Sequence, residues 1–271
     1  MYLDNSQQQV YFRQWPVADP VAAVLIAHGL GEHSGRYQHV ADFFNRHAIA
    51  VYALDHRGHG ESAGRRGHIS DFSLFSDDLH ALAKSVRQQH PALPIHLLGH
   101  SMGGLIATAY AQRHDSIIAS LVLSSPAYGV SGVGNKLSLL LAPLLAKLAP
   151  TLSLSSGLDA QAISRDPSVV KAYLDDPLVH SLVTAAWARA FRREQCFVER
   201  EINHLQIPVL MLVAGSDRLT DPLKARVLFE KIATQDKQCI AYPDAFHELL
   251  NEPEQQRIMQ TLLGWINQRG E

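Results

Sequence analysis

The segment Gly99-His100-Ser101-Met102-Gly103 sets a serine between two glycines, each two positions away. The apolar run Ile95-His96-Leu97-Leu98 precedes it and a helical pattern follows, so it predicts a sharp strand-to-helix turn that projects the Ser101 hydroxyl outward. The glycines let the backbone fold back on itself, and Gly104 lets the next helix lie close to the sheet. A serine hydroxyl is a weak nucleophile at neutral pH, so this chemistry requires a base. His247, in Asp244-Ala245-Phe246-His247-Glu248 after the last apolar run, is the expected base among 15 histidines. An acid must then fix the imidazole tautomer and balance its cation. Asp217, at the end of the Ile207–Gly215 run, fills that place and gives the chain order serine, acid, histidine. Asp221 precedes Pro222 and reads better as a helix cap. Asp244 lies too near His247 along the chain to approach its far nitrogen.

Attack on a carbonyl carbon leaves negative charge on the oxygen, which needs preorganised donors. The Met102 N–H, where a helix begins, is one candidate. The second is expected from the loop His28-Gly29-Leu30-Gly31, with the Leu30 N–H as candidate and the Leu30 side chain incidental. His100, inside the serine motif, is a candidate substrate contact.

These groups need elements that bring them to one edge. Val21–Ile26, Ile49–Leu54, Ile95–Leu98, Leu121–Leu123, Ile207–Val213 and Gln238–Tyr242 read as buried strands. Helical patterns over Arg36–Arg46, Ser70–Gln89 and Gly104–Arg113 alternate with them. Asp221-Pro222 and Glu252-Pro253 mark two later helix starts. Such alternation predicts a doubly wound, mostly parallel α/β sheet with its site beyond the carboxyl ends of the strands. The alternation fails from 127 to 204, where no strand is apparent and leucine and alanine recur at helical spacing. The expected organisation is a core from 1–126 and 205–271, with 127–204 as a helical cap inserted between two strands.

Composition sets the outer limits. The chain has 271 residues, 46% hydrophobic and 18% charged, with a formal net charge of -2. This is ordinary globular composition, and disorder is not expected for the bulk of the chain. Arg65-Arg66 and Arg192-Arg193 are isolated basic pairs, so nucleic acid is not an expected partner. The amino terminus has no basic start or apolar stretch, and two cysteines are too few for a disulfide framework, so a cytoplasmic location is expected. The leucine-rich stretch 137–154 is broken by Pro143, Lys147 and Pro150 and does not read as a membrane span. It remains a surface for peripheral lipid contact.

Taken together, these motifs resemble the monoacylglycerol lipase and lysophospholipase branch of the α/β-hydrolases, which also carries a serine aminopeptidase-like label. The resemblance spans nearly the whole chain. It rests on His28–Tyr37, Asp55–Ser62, Gly99–Gly104, Ser216–Leu219 and Phe246–Leu249. It implies a serine carboxylic-ester hydrolase acting on a monoacylglycerol or lysophospholipid through an acyl-enzyme on Ser101, with no cofactor or metal. It also carries alcohol-end contacts onto Glu32 and Arg36, unless these pair and brace their loop. Leu30 stands where monoacylglycerol lipases often have a smaller residue. Asp55, Arg57, His59 and His33 are expected to hold turns; a metal site at His56 and His59 has no supporting cysteine or carboxylate pattern. Leu137, Leu139, Leu140, Leu141, Leu144, Leu145 and Leu148 fit either an acyl tunnel or, for most of them, a cap helix packed on the body. Two other functions use the same scaffold: an aminopeptidase, for which Asp175-Asp176 would receive the substrate amine, and a non-catalytic binding protein.

Overall fold

Five of the apolar runs form strands buried at every position: β3 (Ala22–Ala27), β4 (Ile49–Leu54), β5 (Ile95–His100), β6 (Ser120–Ser124) and β9 (Val209–Ala214). Only a sheet covered on both faces can bury such strands. The computed structural model describes residues 1–3, 8–114, 117–130 and 147–269. With β1 (Tyr2–Leu3), β2 (Val10–Trp15) and β10 (Lys237–Tyr242), the main sheet has eight strands in the order β1-β2-β4-β3-β5-β6-β9-β10. From β4 across to β10 (Lys237–Tyr242) every pairing is parallel.

Helices α1 (Gln38–Asn45), α2 (Ser73–Gln89), α3 (Met102–Arg113), α6 (Pro222–Glu230) and α7 (Gln255–Asn267) follow strands. One core layer packs α2 and α3 on the sheet through Phe75, Leu79, Leu105 and Ile106. The other packs α1 and α7 on the opposite face through Phe44, Ile258 and Leu262. Asp221 caps α6 as its sequence implies, accepting the Lys224 N–H at 3.0 Å. At Glu252-Pro253 the expectation fails: α7 begins at Gln255, because the buried Glu252 carboxylate is held by Arg165 and by the Phe246 N–H.

The edge beside β4 also departs from the sequence reading. Here β1 (Tyr2–Leu3) and β2 (Val10–Trp15) form an antiparallel border that polar Arg13 and Gln14 conceal in the sequence. Between β6 and β9 the described residues contain α4 (Pro167–Asp175), the long α5 (Ala185–Glu201) and a short antiparallel ribbon of β7 (Ser153–Ser155) and β8 (Leu182–Thr184). The stretch 127–204 therefore does hold strands, too short to mark the sequence. It is pinned to the loops beyond the main sheet: the His180 N–H donates to Gly31 O, the Thr184 N–H to Gly67 O and the Glu248 N–H to Ile163 O. Among the described residues no helix is long and apolar enough to cross a membrane.

Candidate active site

Ser101 lies between β5 and α3 with φ 54° and ψ -118°, a backbone conformation that non-glycine residues avoid. Holding it there costs about 1–3 kcal/mol, which the surrounding packing must offset. The flanking glycines explain how the turn fits. A Cβ on Gly103 would sit 2.0 Å from Ala27 O, and one on Gly99 would sit 2.5 Å from Gly103 O. Helix and strand thus approach too closely for any side chain at either position.

Across the strand ends, His247 Nδ1 lies 2.7 Å from Asp217 Oδ2. An ionised carboxylate only accepts, so Nδ1 carries the proton and donates, leaving Nε2 free to take a proton. The Asp217 carboxylate also accepts from the Leu219 N–H, the Thr220 N–H and the Thr220 hydroxyl. Burial would raise its pKa, but the neighbouring imidazole and these donors hold it at about 2. The same contact works in reverse on His247: burial opposes its charge, yet Asp217 lifts its pKa above 6.5. Asp221, in contrast, is spent on its cap.

Ser101, Met102, Leu30 and His247 face one cavity of about 640 Å³. Among the described residues, neither the Leu30 N–H nor the Met102 N–H donates to a protein group. Two amide donors therefore stand beside the serine with their hydrogens unspent. The remaining wall is mostly apolar, built from Leu158, Val183, Trp187, Phe191 and Leu219. Trp187 and Phe191 stack at 4.8 Å, one turn apart on α5. Leu30 borders this cavity while its side chain packs against the core.

Glu32, Arg36 and His100 do not line the cavity. Glu32 Oε1 accepts the Gly29 N–H at 2.6 Å and the Tyr37 hydroxyl at 2.9 Å, while Oε2 takes Arg36 Nη1 at 2.9 Å. Although burial would raise its pKa, the Arg36 guanidinium, with the neighbouring imidazoles and the Gly29 N–H, holds it at about 2. Arg36 then forks onto Glu248, at 2.7 and 2.8 Å. These bonds give both residues a bracing role between the two loops. His100 packs its ring 4.8 Å from that of His247 and sits within 3.2 Å of Ser124 O. Burial pushes its pKa down to about 4, so it is a neutral neighbour of the base. Glu248 was missed in the sequence because its partner lies 212 residues away; its only local signal is adjacency to His247.

The turn residues behave as a scaffold. Asp55 accepts the Ser34 and Glu61 N–H groups, and Arg57 pairs with Asp78. His28, His56 and His59 pack ring on ring, each with its pKa lowered by burial. Asp175 pairs with Lys171, and Asp176 accepts from His33 Nε2 at 2.8 Å.

A strained serine elbow, an acid–imidazole pair and free amide donors at the rim of a mostly parallel sheet define an α/β-hydrolase of the nucleophilic-serine class. Residues 18–254 match the family model described as serine aminopeptidase, S33; the chain belongs to that family and is a serine hydrolase. It is 40% identical to a monoacylglycerol lipase of Mycolicibacterium smegmatis, over 95% of this chain and 92% of that one. It is 32% identical to phospholipase YtpA of Bacillus subtilis, over 94% of this chain and 98% of that one. The crystal structure of Paleococcus ferrophilus monoacylglycerol lipase superposes with a TM-score of 0.85 at 33% identity, covering 94% of this chain and 97% of the other.

Proposed function

We propose that the protein hydrolyses the carboxylic ester of a single-chain lipid, a monoacylglycerol or a lysophospholipid, through an acyl-enzyme on Ser101. The observation that carries this reading is the mostly apolar cavity of about 640 Å³ that opens onto Ser101 and His247. In the first step Ser101 Oγ bonds to the carbonyl carbon and His247 Nε2 takes the hydroxyl proton. The Leu30 and Met102 N–H groups hold the oxyanion. The acyl C–O bond then breaks, and the proton passes from His247 to the departing alcohol oxygen. Water, deprotonated by His247, attacks the acyl-enzyme; its hydroxide goes to the fatty acid and Ser101 regains its proton. Asp217 keeps the imidazole oriented and balances its charge throughout.

The similarity to two monoacylglycerol lipases and a phospholipase supports the choice of ester. An aminopeptidase would need a carboxylate to receive the substrate amine, and among the described residues the cavity wall carries none. A non-catalytic binding role fits poorly with an acid–imidazole pair and two unspent amides beside the serine. Residues 127–204 act in this reading as a cap that supplies most of the acyl wall. Leu148, Leu152, Leu154 and Leu182 are exposed on it and support peripheral contact with lipid; Leu137, Leu139, Leu140, Leu141, Leu144 and Leu145 lie outside the described residues. A hydrolysis panel of monoacylglycerols and lysophospholipids of graded chain length, run beside an amino-acid anilide, tests the function. Turnover of the lipid esters alone is expected; turnover of the anilide alone would overturn it.

A further inference from the structure

Three arginines, Arg189, Arg192 and Arg193, line the same cavity as Ser101, and all three are exposed. They stand at positions i, i+3 and i+4 of α5 and so share one face of that helix. Their neighbours Trp187, Ala188, Phe191 and Gln195 carry the helix's contribution to the cavity wall. The helix therefore presents an apolar wall with a cationic lip.

Cations predominate on the Ser101 side of this lip, while Arg192 and Arg193 also border a neighbouring cavity with Asp71, Arg113 and Glu194. Among the described residues the cavity wall holds no Asp or Glu, and none of the three arginines forms an ion pair. Arg193 lies within electrostatic reach of Asp71, and Arg192 of Glu199, but Glu199 is paired with Lys224. Glu194, the next acid on the helix, is taken by Arg113 at 2.6 Å. Like charges one turn apart oppose each other and destabilise a helix. Long aliphatic stems alone would cover the apolar lip equally well in glutamine or in an acid–base mixture. What three unpaired guanidinium groups supply, and those would not, is a planar, permanently charged donor set matched to phosphate oxygens.

We propose that Arg189, Arg192 and Arg193 form a phosphate-recognising subsite, so that the ester of choice is a lysophospholipid with an anionic headgroup. This rests on the ester-hydrolase reading above and narrows it. The acyl chain enters the apolar wall, the carbonyl meets Ser101, and the phosphate of the leaving alcohol stays at the mouth. The assignment is to a headgroup tethered to its chain, because the cations border the acyl cavity itself.

The test compares dodecanoyl-lysophosphatidylglycerol with dodecanoylglycerol, both kept below the concentration at which they self-assemble. The readout is the ratio of their kcat/KM values in the full chain and in two triple variants. Combined Arg189→Gln, Arg192→Gln and Arg193→Gln is expected to lower the anionic-to-neutral ratio about tenfold. The corresponding lysine variant should keep a larger share of it, since charge remains while the fork is lost. Added salt should lower the ratio in the native chain and leave the glutamine variant nearly flat. An unchanged ratio in the glutamine variant overturns the subsite. So does a ratio that falls only when the lipids are assembled into micelles, which would assign the arginines to a lipid surface. A folded native chain that turns over neither ester overturns the hydrolase reading, and the subsite with it. Turnover of dodecanoylglycerol with an unchanged ratio overturns the subsite alone.

Discussion

Arg36 grips Glu248 through two parallel hydrogen bonds of 2.7 and 2.8 Å, and Glu248 is the residue directly after the base His247. Arg36 also holds Glu32, whose other oxygen fixes the Gly29 N–H, so one guanidinium joins the loop of the Leu30 amide to the loop of the base. Both side chains of the fork are buried, at 10% and 6% exposure, where a planar pair is least screened by water.

Arg36→Lys keeps the charge and loses the fork. Since the two loops must agree to a fraction of an ångström, kcat should fall on the order of tenfold with a smaller change in KM. Steady-state kinetics beside a thermal melt checks this. A loss of stability with unchanged kcat would confine the pair to a structural role.

The two neighbouring aspartates separate cleanly. Asp217→Asn leaves a side chain that cannot accept at both oxygens or balance the imidazolium, so kcat should fall about 10³–10⁴-fold. Asp221→Asn should keep near-native kcat, because asparagine caps a helix about as well as aspartate. Kinetics of both variants on one ester decides between them.

The pH dependence follows from the acid–imidazole contact. His247 must be neutral to accept a proton, and Asp217 raises its pKa above 6.5. The acid limb of kcat/KM on an uncharged ester should therefore lie above pH 6.5. It should move to lower pH in Asp217→Asn, where the carboxylate that favours the cation is gone.

Stability should fall with acid over a different range. His96 and His100 are pushed by burial from 6.5 down to about 4. A lowered folded-state pKa contributes stability that is present above the unfolded value and lost as pH drops through the folded one. Their share should thus decay between pH 6.5 and about 4. His247 opposes this weakly, since its raised pKa contributes below 6.5 and fades at higher pH. Urea midpoints across this range check the sign: His100→Gln should flatten the acid loss.

The sheet was readable because its parallel strands are near-continuous apolar runs: Ile49–Leu54 matches β4 residue for residue. The border strand β2 was not, since polar Arg13 and Gln14 interrupt its alternation beside a half-exposed edge. The order of Ser101, Asp217 and His247 was legible because each sits just past an apolar run. The bracing of Glu32 by Tyr37 and Gly29, the grip of Arg36 on Glu248 and the capture of Glu252 by Arg165 were not. Each depends on which distant side chain meets a buried charge. The cationic lip on α5 was half visible as the pair Arg192-Arg193; only the helix brings Arg189 beside them at the edge of the cavity.

The central claim is that Ser101 is an acylating nucleophile activated by His247. Intact-protein and peptide mass spectrometry after a fluorophosphonate probe reads this directly. The native chain should gain one adduct, on Ser101; Ser101→Ala should gain none, and His247→Ala should react slower by about 10³-fold or more. An adduct on another residue, or equal labelling rates in the native chain and His247→Ala, would contradict the account.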